Sequence, residues 1–339
     1  MISNVITFSI IIMCALAEEL LMEERKITAP NYQTISPNID NIDVENSLEK
    51  IEHLAALADK SRRDGVLPIE HTEYLYEKIT ETLDDLVDFL KTSQNTYKFL
   101  SKKGIDRIVN SIIGINDQSL KRQFLIILKT LFNVAPVTTN ELIPSSVIDK
   151  LLDIFENDDN LGLKTHALDI MYTWLPKNPK IQARVMKLKG LEPFYNQVTK
   201  LDISVVYTLL ELFNNILQEH LTERSKSQKD KTDFETIKLY ENIGLIERMS
   251  TPTVCNGLLN IFEGIAIRDD LELPPFVFNL LKNIKPFCLK IYKGKSQAAN
   301  VFQLLEKKLN NNITLDIIEV KKLLEEYIQK INDNVHDEF

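Results

Sequence analysis

Residues 99–112 read FLSKKGIDRIVNSI, and residues 185–198 read VMKLKGLEPFYNQV. In each, a helical segment stops at a glycine, Gly104 or Gly190, and an apolar pair follows: Ile105 and Ile108, or Leu191 and Phe194. A third copy, LYENIGLIERM, sets Gly244 before Leu245 and Arg248. Gly104 and Gly190 are 86 positions apart, twice 43, and the midpoint stretch SSVIDKLLDIF places Ile148 and Leu151 where Ile105 and Ile108 stand. The 54 positions from Gly190 to Gly244 exceed that period by 11. Thr222–Asp233, charged and without an apolar residue, reads as an exposed inserted loop that absorbs the excess.

Between the glycine-led helices lie longer and more apolar ones, Phe124–Ala135, His166–Leu175, Val205–Leu217 and Val254–Ala266. Their apolar faces are too wide for a helix covered on one side only, and suit helices sandwiched between neighbouring repeats. The glycine at each junction is expected to supply a left-handed turn at low cost. A period near 43 of short helix, turn and long buried helix is the armadillo or HEAT pattern. It predicts an all-α, armadillo/HEAT-like, right-handed superhelical solenoid of about four core repeats with helical caps at both ends. An irregular α-domain is the alternative. Single repeats should not fold alone, because each buries its Leu, Ile and Phe side chains only against its neighbours.

The rest of the chain fits this frame. Scarce glycine (nine residues) and abundant Leu, Ile, Lys and Glu favour helix. No sustained strand-like alternation appears. Helices are expected from Leu48 up to Gly104, and near Pro275–Tyr292, Ala298–Leu309 and Thr314–Ile331. The expected divisions are a signal peptide (1–17), a flexible polar segment (18–47), the solenoid (48–332) and a C-terminal tail (333–339).

The two ends suggest a compartment. Val5–Ala17 carries no charge, Ile10–Met13 form its apolar centre, and Ala15-Leu16-Ala17 offers the small-x-small pattern that a signal peptidase reads. The stretch is too short for a membrane anchor. The last four residues, His336, Asp337, Glu338 and Phe339, resemble the His-Asp-Glu-Leu address of the endoplasmic reticulum lumen, with Phe as the apolar terminus. In that compartment Asn312, in the sequon Asn312-Ile313-Thr314, becomes a glycosylation candidate. Two cysteines remain after the signal, Cys255 and Cys288. An oxidising lumen opens a bridge between them, although two buried free thiols are the expectation.

Chemistry is hard to find. The net charge of −9 argues against nucleic acid and anionic membrane surfaces as partners. The five histidines form no metal-ligand spacing, so no metal or cofactor is expected. Gly294-Lys295-Ser296 matches the tail of a phosphate-binding loop, but the upstream glycine position is Leu289 and no strand precedes it. Carboxylate pairs such as Asp84-Asp85 read as solvated faces. The chain is therefore not expected to be an enzyme. A curved solenoid offers instead a concave surface for a protein partner. Polar residues embedded in the long apolar helices are its candidates: Asn133, Glu211, Asn214, Asn215, Asn260 and Glu263. The competing reading gives these side chains hydrogen bonds at repeat junctions.

One stretch carries a resemblance. Glu81–Val109, ETLDDLVDFLKTSQNTYKFLSKKGIDRIV, resembles the first armadillo repeat of nucleotide exchange factors for the seventy-kilodalton heat-shock chaperones. Leu83, Leu86, Val87, Asn95, Phe99, Gly104 and Ile105 match the family pattern, while Lys103 stands where the family has the first of two glycines. With the signal, the acidic segment and the tail, the chain looks like the lumenal branch, whose chaperone is BiP. The resemblance implies a monomeric solenoid that clasps one lobe of the chaperone's nucleotide-binding domain and opens the cleft to release ADP. It also implies a retention receptor as a second partner. The rival expectation is a lumenal helical-repeat adaptor or cargo-binding protein without exchange activity.

Overall fold

A computed structural model describes residues 43–64, 69–112, 115, 117–191, 194, 200–227, 231–268, 273–309 and 315–332. All belong to one compact unit, Ile42–Phe339, and every regular element among them is a helix. In order these are α1 (Val44–Asp64), α2 (Ile69–Phe89), α3 (Ser93–Ser101), α4 (Gly104–Ile112), α5 (Gln118–Val134) and α6 (Pro136–Leu142). Next come α7 (Val147–Asn157), α8 (Leu161–Trp174), α9 (Pro179–Leu188), α10 (Ile203–Arg224) and α11 (Lys231–Ile243). The last are α12 (Leu245–Met249), α13 (Pro252–Ala266), α14 (Pro275–Tyr292), α15 (Ser296–Lys307) and α16 (Leu315–Asn332).

Local chemistry starts these helices where they start. The side chains of Asp117, Asn160, Asn178 and Thr251 accept from first-turn N–H groups of α5, α8, α9 and α13, which otherwise lack intrahelical partners. Proline stands at the first turn of α6, α9, α13 and α14, where its missing N–H costs nothing. Helix α1 begins at Val44, four residues before the expected Leu48. The Asp43 carboxylate accepts from the Glu45 N–H at 3.0 Å, and Val44 is buried in the core.

The long helices stack side by side as a ladder, α2–α5–α8–α10–α14–α16, with the other helices forming the layers behind it. Phe132 on α5 meets Trp174 on α8, with ring centroids 5.5 Å apart. Tyr207 on α10 meets Phe276 on α14 edge-on. Tyr327 on α16 donates to the Leu281 carbonyl on α14 at 2.8 Å. Behind the ladder, Arg107 on α4 clasps Glu52 and Glu45 on α1 at 2.6–2.7 Å, and Arg184 on α9 clasps Asp149 on α7. The helical-repeat architecture is therefore the armadillo-like one that the period implies.

Three expectations change. The first concerns Val254–Ala266. This stretch forms α13, which packs against α12, α14 and α15, while the rung beside α10 is α14. Asn214 therefore pairs with Asn283, 69 positions on, whereas Lys129 pairs with Asp169, 40 positions on, two steps earlier in the ladder. Helix α13 has a wide apolar face because α12, α14 and α15 cover it, and periodicity alone cannot tell one layer from the other. The second change is that Thr222–Asp233 is not wholly loop. Thr222–Arg224 end α10 and Lys231–Asp233 begin α11, since Glu, Arg and Lys are good helix formers with or without an apolar face and Asp suits a helix's first turn.

The third change is at the glycine junctions. Gly190 and Gly244 are left-handed as expected (φ 67° and 71°), but before α4 the left-handed residue is Lys103 (φ 54°). Gly104 is needed for a different reason: a Cβ there would lie 2.3 Å from the fully buried Phe99 ring.

A buried polar knot ties α9, α10 and α11. His220 Nε2 donates to Gln182 Oε1 at 2.8 Å, Gln182 Nε2 donates to the Leu175 carbonyl, and Tyr240 donates to Glu219 at 2.5 Å. His220 Nδ1 has no partner. Burial first, then the Arg224 charge, hold the His220 imidazole down to about 4 from its usual 6.5. Between those values the unfolded chain takes up a proton that the folded chain refuses, so stability is lost as pH falls from about 6.5 towards about 4. The wild type should lose about 2 kcal/mol more than His220→Gln between pH 7 and pH 5. Urea melts of both proteins check this, and parallel pH profiles would rule it out.

Candidate functional site

The ladder carries the residues that project from the long helices at matching positions of successive rungs. On α5 and α8, Lys129 Nζ meets Asp169 Oδ2 at 3.1 Å, with both side chains partly exposed. These two, with Phe132, Asn133, Ile170, Tyr172 and Thr173, line a shallow depression of about 220 Å³. One rung on, the half-buried Tyr172 faces Glu211 and Asn215 of α10; burial first, then Glu211, raise its pKa. Next, Asn283 Nδ2 on α14 donates to Asn214 Oδ1 and to Gln218 Oε1, each at 3.1 Å. Lys285 on α14 then pairs with Glu326 on α16, and that ion pair holds the Glu326 carboxyl below its usual range. Each rung thus hands a polar contact to the next.

Of the six residues expected here, Asn133, Glu211 and Asn215 stand on this face. Asn214 stands on the same helix, but it is 7% exposed and spends its amide on the α10–α14 junction, which is the competing reading for that residue. Asn260 and Glu263 do not belong to the face. They lie on α13, behind the ladder, where both accept from Gln297 Nε2 of α15 at 3.0 and 2.7 Å. Lys129, Asp169, Tyr172 and Asn283 were missed by sequence reasoning. For Lys129, Asp169 and Tyr172 the signal is the recurrence of polar residues near 40 positions apart inside apolar helices, legible only once the rungs are paired; Asn283, 69 positions from Asn214, falls outside it.

Charge is uneven along the ladder. Helix α2 presents exposed Asp84, Asp85 and Asp88, and burial, with the two neighbouring carboxylates, lifts the Asp84 carboxyl. Helix α14 carries Lys282, Lys285 and Lys290 and no acidic residue. A partner laid along this face meets an acidic first rung and a lysine-bearing fifth rung.

Residues 95–337 match the sequence model of the SIL1/FES1/HPBP1 C-terminal domain. The chain belongs to this family. Its members are nucleotide exchange factors of seventy-kilodalton heat-shock chaperones, non-catalytic cofactors of a chaperone partner. No curated protein matches the chain. Among solved structures, the chain is similar to one described as "Computational Design of Self-Assembling Cyclic Protein Homooligomers". The identity is 14% over 86% of this chain and 95% of that one, and the TM-score of 0.19 carries no argument. Among the described residues there is no group of three side chains that could hold a metal ion. The Gly294-Lys295-Ser296 stretch has a structural use in this family member. Gly294 N donates to the Ile331 carbonyl at 3.0 Å, and Lys295 Nζ donates to Asn256 at 2.6 Å. The terminal stretch 1–42, Asn312 and His336–Phe339 lie outside the described residues.

Proposed function

We propose that this exchange factor serves BiP, the chaperone of the endoplasmic reticulum lumen, and that its ladder face takes the chaperone's nucleotide-binding domain. The observation that carries the exchange reading is the family match over residues 95–337. The compartment rests on the apolar stretch ending at Ala17 and on the tail His336–Phe339. In this reading Asn312 accepts a glycan and a retention receptor reads the tail.

The mechanism needs no catalytic residue. A factor that binds the open nucleotide cleft more tightly than the closed one shifts the population towards open, by as much as the two affinities differ. Tenfold tighter binding to the open form supplies about 1.4 kcal/mol of that shift. Linkage is reciprocal: ATP, which favours the closed cleft, drives the factor off.

Chaperone choice and address are tested together. The purified protein should accelerate ADP release from BiP at least about tenfold more than from a cytosolic seventy-kilodalton chaperone, more than about 1.4 kcal/mol of discrimination. Removal of His336–Phe339 should move the protein from cell to medium. Equal action on both chaperones, with the truncated form retained, would sink the lumenal assignment and leave family membership intact.

A further inference from the structure

Cys255 on α13 and Cys288 on α14 are joined as a disulfide, with Cα atoms 5.4 Å apart, where free thiols were expected. Both residues are fully buried. The bridge ties the layer behind the ladder to the ladder itself, at the step where the repeat is irregular. Helices α11, α12 and α13 lie between rungs α10 and α14, against two helices between α5 and α8. The rung that it holds has a weakness of its own. Pro286, two residues before Cys288, lies inside α14 and offers no N–H to the Lys282 carbonyl. Beyond it, Tyr292 donates to the Cys255 carbonyl at 2.8 Å and packs against Phe302 and Tyr327, so α15 and α16 depend on the same joint.

We propose that the Cys255–Cys288 bridge is a redox-set lock on the last two rungs. Oxidised, it keeps α14 and α16 in line with α10; reduced, it lets them loosen while the earlier rungs keep their order. Because each repeat is held only by its neighbours, loosening at one joint stays on one side of it. In the reduction, a dithiol reductant gives two electrons and two protons to the sulfurs. The S–S bond breaks, two cysteine thiols form and the dithiol closes to its own disulfide. Both sulfurs are shut from solvent, so reduction waits for α13 and α14 to part.

Hydrogen exchange read by mass spectrometry tests this on the protein alone, without a chaperone. The oxidised chain is compared with the chain opened in dithiothreitol and urea, then returned to native buffer containing dithiothreitol. Cys255→Ala/Cys288→Ala is the covalent control. In the reduced chain and the variant, α14 and α16 amides should exchange at least about tenfold faster, while α5 and α8 stay within about twofold. Thiol labelling of the non-reduced protein should find neither cysteine reactive after denaturation. Two reactive thiols there would overturn the bridge. Exchange that is unchanged, or raised equally in all rungs, would overturn the lock.

Discussion

Leu210→Asp should leave no folded α10. Leu210 is fully buried at the centre of that helix, between rungs α8 and α14. The substitution forfeits about 1.5–3 kcal/mol of apolar burial and adds several more for a carboxyl group enclosed without a partner. The sum is comparable to the whole stability of a typical domain, about 5–15 kcal/mol. Since neighbouring rungs are held through α10, the loss should extend to α8, α11 and α14. Circular dichroism and urea titration check this: the variant should have reduced helicity at 25 °C or a midpoint too low to define. A variant that melts within about 1 kcal/mol of wild type would show that Leu210 lies outside the core.

The second large effect separates function from stability. Glu211→Lys with Asn133→Lys places two long cationic side chains on the ladder face, one on α10 and one at the end of α5. Neither position is buried, so the melt should change by less than about 1 kcal/mol. Exchange activity should fall at least about tenfold, because bulk and charge are added where the partner is to lie. Glu263→Lys is the control. It lies behind the ladder with Gln297 and should leave exchange untouched. If Glu263→Lys abolishes exchange while the double variant does not, the wrong layer has been given the partner.

That contrast also marks what the sequence makes legible. Helices α5, α8 and α10 are visible as broad apolar stripes, and their recurrence near 43 residues points to the fold. Val254–Ala266 has the same apolar width for another cause: it is covered by α12, α14 and α15 and fastened at Cys255. Width of the apolar face reports how much is covered, not which layer does the covering, so Asn260 and Glu263 are grouped with residues of another layer. Glycine composition misleads in a similar way. Gly104 looks like a turn residue, yet it stands where the Phe99 ring leaves no room for a Cβ, and Lys103 takes the left-handed turn. The pairs that build the face, Lys129 with Asp169 and Tyr172 with Glu211, depend on the rotation of one rung against the next. No period in a single chain encodes that phase.

In the proposed function this family member opens a chaperone's nucleotide cleft by binding alone. Stopped-flow release of a labelled ADP from BiP, with and without saturating amounts of the protein, addresses it most directly. Release should be at least about tenfold faster, the complex should dissociate in excess ATP, and the protein alone should hydrolyse no ATP. A release rate unchanged at saturation, with the complex still formed, would contradict it and leave a binding protein without exchange activity.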